Sequence, residues 1–448
     1  MKLVKLSLAA LMSLSTMAYA ADTLADAFKN GKVTGELRFV YTAGSETDAT
    51  TQTAPVNNVN VGSVAAELKY VTDSLYGFKL GMAFQSAHDL GFHKKDYDGT
   101  PGGQPASEDD ERNSVSTTLL SEAYIQYTYS KSNIMIGRQK IKTPLIMTSS
   151  AFALEDSFDA AVLTINEIPD TMVKLMYIQD WQMRYGSDAR NTATQKDMHL
   201  KKGIYSLFFV NKSIQGLTVD GQYMTTNENA RFYDAPVFVG AGGYDQYYLQ
   251  AEYKLPISFP LSLAITYAGA DYDSRVYSTP GPTSQVGGDD ARLYGFKAST
   301  EISGVKLNVA YTTMDEEANF PGTLGHVPDT IAYTDMLTNN AIFAGVDAYS
   351  VEAIYGFGVP GLSTGLKYAH YDQSTKGIAN AGMNLDGADE INIDIKYAFS
   401  GALKGFSTRL WAGYGTYDHV SGDISFMDVF TLNTTSDFYA LIGFAPCV

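Results

Sequence analysis

Period-two alternation, repeated along most of the chain, is the feature that limits what this sequence can become. Ile391, Ile393, Ile395, Tyr397 and Phe399 alternate with Asn392, Asp394, Lys396 and Ala398. Successive side chains of a strand point to opposite faces, so one face is oily and the other charged. The same holds for Tyr247, Leu249, Ala251, Tyr253 and Leu255 against Gln246, Tyr248, Gln250, Glu252 and Lys254. It recurs in Leu261 to Tyr267, in Val305 to Tyr311, and in Val33, Gly35, Leu37, Phe39 and Tyr41 against Lys32, Thr34, Glu36 and Arg38. Each run is about 9 to 11 residues, the length a tilted strand needs to cross hydrocarbon. A tyrosine or phenylalanine repeatedly closes the run, as in the aromatic girdles of membrane barrels.

The first twenty residues read as an export signal rather than as part of the fold. Lys2 and Lys5 precede the apolar run Leu6 to Leu14, and Ala18-Tyr19-Ala20 makes a small-x-small cleavage site. That run is too short to span a bilayer, and no later stretch approaches the roughly 18 apolar residues of a membrane helix. A chain without such helices crosses a membrane only as a closed barrel. One barrel domain over 21–448 is therefore expected. The formal net charge is −17, which argues against nucleic acid as a partner because phosphate recognition needs a basic footprint. Cys447 is the single cysteine and the six histidines are scattered. No disulfide, metal site, cofactor or catalytic constellation is expected.

Connections alternate in length. Short ones lie at Thr72 to Tyr76, Ser130-Lys131, Asn166 to Asp170, Lys212 to Gly216, Pro256 to Phe259, Ser303, Gly358 to Pro360 and Ser400 to Lys404. They hold the Gly, Pro, Asn and Asp of tight turns. Long ones cover 42–62, 87–118, 140–156, 181–202, 226–243, 271–290, 314–345, 372–388 and 417–435. The spacing predicts about 18 antiparallel strands, with short turns toward the periplasm and long loops outside. The last strand is expected at Phe438, Ala440, Ile442 and Phe444.

Inward positions, read from the alternation, are charged. The basic ones are Arg38, Lys69, Lys79, Lys174, Lys254, Lys297, Lys306, Lys367, Lys396 and Arg409; the acidic ones are Glu36, Glu67, Glu122, Asp220, Glu252, Glu352 and Asp394. At mid-membrane a lipid-facing Arg or Lys costs roughly 2–4 kcal/mol, so these belong in the lumen. The wall is then slightly basic although the chain is acidic, because acids such as Glu108-Asp109-Asp110-Glu111 and Asp315-Glu316-Glu317 sit in loops. Such a wall favours anions. Two functions compete: a diffusion pore for small polar solutes, and a structural or adhesive barrel acting through its long acidic loops.

Residues 137–171, GRQKIKTPLIMTSSAFALEDSFDAAVLTINEIPDT, and residues 25–38, ADAFKNGKVTGELR, resemble the OprD-like outer-membrane porins, most of all their epsilonproteobacterial branch. The resemblance implies an 18-stranded barrel in the bacterial outer membrane, passive diffusion of small hydrophilic solutes, and a basic ladder for carboxylate-bearing ones. It also implies a third loop, 140–156, folded into the lumen, with Lys140, Lys142, Glu155 and Asp156 at the constriction. Leu145, Ile146, Met147, Phe152 and Leu154 suit a loop packed inside. The family usually carries an arginine in that loop. Here none stands between Arg138 and Arg184, leaving Lys140 and Lys142 as its cations. Expected partners are outer-membrane lipid, lipopolysaccharide and small polar solutes; a monomer and a homotrimer both remain open.

Overall fold

The computed structural model describes residues 21–48, 55–88, 116–148, 152–184, 198–225, 244–272, 290–321, 324–325, 331–336, 340–381, 384–419 and 422–437. Among the described residues, eighteen strands form one sheet. They are β1 (Lys32–Asp48), β2 (Pro55–Val71), β3 (Phe78–His88), β4 (Thr117–Tyr129), β5 (Ser132–Gln139) and β6 (Ser157–Ile165). Next come β7 (Thr171–Gln182), β8 (Met198–Asn211), β9 (Leu217–Thr225), β10 (Tyr244–Lys254), β11 (Leu261–Tyr272) and β12 (Ala291–Ile302). The ring continues through β13 (Val305–Met314), β14 (Val346–Tyr355), β15 (Leu362–Gln373), β16 (Ala388–Ala398), β17 (Phe406–His419) and β18 (Gly422–Asp437).

Each strand pairs antiparallel with its sequence neighbours, and β18 returns to β1, from Glu36 opposite Asp437 to Asp48 opposite Ile424. The sheet is therefore closed, and every ladder finds partners without an edge. The outer face is apolar: Leu37, Leu68, Phe84, Ile125, Ile136, Leu249, Ile265, Phe296, Val309, Val351, Leu366 and Ile391 are all exposed. A belt of that extent in water would be an aggregation surface; in hydrocarbon it is the solvated face. At the short-turn end, Ser303 and Gly304 have φ of 52° and 82° between the paired residues Ile302 and Val305. Two successive positive φ angles make the tight hairpin whose twist matches its strands. A six-residue helix, Leu24–Lys29, closes against the same end, where the Asp73 amide donates to Ala27 O at 2.9 Å.

Two expectations need correction. The connection read over 42–62 is shorter, because β1 and β2 continue their ladder to Thr47 opposite Pro55. Backbone hydrogen bonds hold strands together above the bilayer, where no apolar period is required. The connection read over 417–435 is largely strand. Its register shifts between Gly413 and Gly415, and a bulge of this kind moves the period by one residue and hides the strand from a strict period-two reading. The closing strand expected at 438–444, residues 1–20, the acidic run 108–111 and Cys447 lie outside the described residues.

Candidate functional site: the lumen constriction

Residues 140–148 and 152–156 follow β5. Ile141, Leu145, Ile146, Ala153 and Leu154 are buried. Lys142–Thr143 pairs with Ile146–Met147 in a small hairpin. The hairpin is pinned to separate parts of the wall: the Leu145 amide donates to Gln222 Oε1 on β9, and the Glu155 amide to Gln85 Oε1 on β3, each at 2.8 Å. Buried backbone donors need partners of this kind.

Charges fix the base of the loop. Arg38 donates through Nε to Glu36 at 2.9 Å and through Nη1 to Phe152 O at 2.6 Å, and lies 3.4 Å from Glu155. Lys140 reaches Glu155 at 2.5 Å and also pairs with Glu67; beside them Lys69 pairs with Glu122 at 2.5 Å. Burial alone would raise the Glu155 carboxyl, but Lys140, Arg38 and Lys142 outweigh it and hold the group down, at about 2. Asp156 and Arg184 are both wholly buried, 2.8 Å apart. The Arg184 amide also donates to Asp156 Oδ1 at 2.9 Å, and its guanidinium stacks 3.8 Å above the Phe152 ring.

A second segment lies between β13 and β14. Ala318, Phe320, Leu324, Ile331, Ala332 and Met336 are buried. It meets the first loop through two backbone bonds, Met147 N to Leu324 O at 2.9 Å and Leu324 N to Leu145 O at 3.0 Å. Gly325 has φ +99°, and a Cβ there would lie 2.0 Å from Met147 O. The Gly325→Ala variant is therefore expected to unlatch the two loops, at a strain of about 1–3 kcal/mol. Single-channel recording should show a larger conductance, while heat-induced gel shift of the barrel stays unchanged.

The remaining charged wall positions share the phase opposite the exposed apolar residues. Asp394 binds Arg409 at 2.8 Å and Lys396 at 2.7 Å. Glu352 accepts from Asn308 at 2.7 Å. Lys367 donates to the carbonyls of Tyr333 and Asp335. Lys79, Lys174, Lys254, Lys297 and Lys306 have no carboxylate at ion-pair distance among the described residues; Glu252 and Asp220 have no cation so close either. Lys142 is exposed. Arg138 pairs with Asp159 at 2.7 Å. Arg184 and the second loop were missed from the sequence. For the loop the signal was present: Phe320, Leu324 and Ile331 are apolar residues in a segment far longer than a turn. Among the described residues, no three His, Cys, Asp or Glu side chains are grouped to hold a metal.

A closed barrel with an apolar outer face and charged residues on the opposite phase defines a transmembrane channel of the outer-membrane class. Residues 26–425 match the family model described as outer membrane porin, OprD family. The chain belongs to that family. Its fold is shared by Acinetobacter baumannii OccAB1 (TM-score 0.70, 13% identity, covering 94% of this chain and 100% of that one). It is shared too by Pseudomonas aeruginosa OccK9 (OpdG), with TM-score 0.67 and 17% identity over 92% of this chain and 99% of that one. Pseudomonas aeruginosa OccK11 (OpdR) aligns with TM-score 0.65 and 16% identity over 92% and 97%. No curated protein matches the sequence. The protein is thus a bacterial outer-membrane channel and not an enzyme.

Proposed function

We propose that this porin passes small hydrophilic solutes by passive diffusion, with a preference for small carboxylate-bearing ones. The observation that carries the preference is an asymmetry in the lumen. Around the base of the first loop and on β16 and β17, cations are matched by carboxylates: Arg38, Lys69, Lys140, Lys396 and Arg409 are all ion-paired. On β7, β12 and β13, Lys174, Lys297 and Lys306 have no such partner among the described residues. A paired ammonium contributes little field beyond its partner, whereas an unpaired one in a narrow, low-dielectric lumen attracts anions over several ångströms. Between β7 and β15 the wall lysines Lys174, Lys254, Lys297, Lys306 and Lys367 outnumber the wall carboxylates Asp220, Glu252 and Glu352. This small net positive charge is where a carboxylate can exchange water for successive ammonium groups.

In a planar bilayer under a salt gradient, the reversal potential should report anion preference. The Lys174→Met/Lys306→Met pair should reduce it, by about twofold in the anion-to-cation permeability ratio. Cation preference in the wild type would overturn the carboxylate reading. Correctly folded protein without conductance would overturn the pore itself and favour an adhesive barrel.

A further inference from the structure

Segment 331–336 of the second loop lies against the inner wall. Ile331, Ala332, Thr334, Asp335 and Met336 are buried, and Tyr333 among them is half-buried. Its hydroxyl donates to Gln250 Oε1 on β10 at 2.9 Å. Lys297 Nζ on β12 sits over its ring, 4.4 Å from the centroid. Lys367 Nζ on β15 donates to Tyr333 O at 3.0 Å and to Asp335 O at 2.8 Å. The ring also packs close to the wall at Gly295, two residues before Lys297 on the same face, where a Cβ would meet Thr266 Cγ2 at 2.5 Å and Tyr333 Cδ2 at 3.1 Å. One residue thus bridges three strands and occupies two wall lysines, neither of which has a carboxylate at ion-pair distance among the described residues.

We propose that Tyr333 is a specificity-determining residue of the pore, whose ring over Lys297 and carbonyl on Lys367 mute the positive charge shown to a passing anion. A carboxylate in its place would cancel a whole charge. The negative face of an aromatic ring and the dipole of a carbonyl oppose only part of one. The anion preference is then set by the docking of a loop residue as well as by the count of wall lysines. This inference rests on the diffusion-pore reading above.

The test is the reversal potential of the purified full chain in a potassium chloride gradient, for the wild type and four variants. Tyr333→Phe keeps the ring and should keep the wild-type permeability ratio. Tyr333→Ala and the bulkier Tyr333→Leu both remove the π face, and each should raise the anion-to-cation ratio about twofold. Two truncations are included so that a folding failure in one leaves the other. Adding Lys297→Met to the Tyr333→Leu chain should remove the rise and take the ratio below the wild-type value, because a whole charge, of which the ring masks only part, is gone. An unchanged ratio in conducting Tyr333→Ala or Tyr333→Leu channels overturns the inference alone. So does a Tyr333→Phe channel that behaves like Tyr333→Leu, since the hydroxyl tether to Gln250 would then be the active element. A wild type without conductance overturns the pore reading first and this inference with it.

Discussion

Exchanging Asp156 for asparagine is expected to widen the channel and make its current noisy while leaving the barrel intact. Asp156 and Arg184 are both wholly removed from solvent, and Asp156 holds two groups of Arg184, its backbone amide and the guanidinium that stacks on Phe152. Removing one partner of a buried pair leaves the other charge desolvated and uncompensated, at a cost of about 3–5 kcal/mol. That is a large penalty for one loop to absorb. The rest of the loop is held by the Arg38–Glu155 and Lys140–Glu155 pairs at its base and by two backbone bonds to the second loop. Single hydrogen bonds such as Leu145 to Gln222 contribute about 0.5–1.5 kcal/mol each. Moving the Asp156 end of the loop away lets water reach the bare guanidinium and relieves that penalty. The barrel has no such exit, because its stability resides in a closed ladder that the substitution does not touch. Heat-induced gel shift should therefore be unchanged, while open-channel conductance and its variance rise. Removing both charges, in Asp156→Leu/Arg184→Met, should recover most of the wild-type conductance, because no unpaired charge remains. A quiet Asp156→Asn channel of wild-type conductance would show that the pair does not hold the loop.

How much of this was legible in the sequence depended on which physical signal each part carries. The barrel was legible because a strand between lipid and water must alternate, and Ile391, Ile393 and Ile395 against Asn392, Asp394 and Lys396 state that alternation without ambiguity. β18 was hidden because its bulge breaks the period. For the first loop, Leu145, Ile146 and Leu154 carried the signal, and all three are buried in the structure. The pairing of the wall charges was not legible. Arg38 and Glu155 are 117 residues apart, and period two tells only which face a side chain takes. Tyr333 was invisible for the same reason. A tyrosine in a long loop acquires meaning only when Lys297, Lys367 and Gln250 are brought around it from three strands.

Replacing Glu155 by glutamine should do two things that no single lysine substitution does: raise anion preference and abolish the acid response of the channel. Glu155 is the carboxylate shared by Arg38 and Lys140, with Lys142 near enough to add its field. Without it, Glu36 and Glu67 still pair with Arg38 and Lys140, but two acids now face three cations, and the base of the loop becomes positive. The wild-type pH dependence follows from the direction of the shift. The carboxyl is lowered from 4.5 to about 2 by its cations, so its contribution to docking is fully present above the ordinary value. It is lost progressively as pH falls from there toward the depressed one. The loop should accordingly stay docked at pH 5 and release between about pH 4 and pH 2. Conductance recorded while the loop side is acidified from neutrality should remain level and then step upward in that window. The Glu155→Gln channel should begin nearer the upper level and lack the step. A wild-type step near pH 6, or an undiminished acid step in Glu155→Gln, would assign the response to other groups and leave Glu155 a bystander to docking.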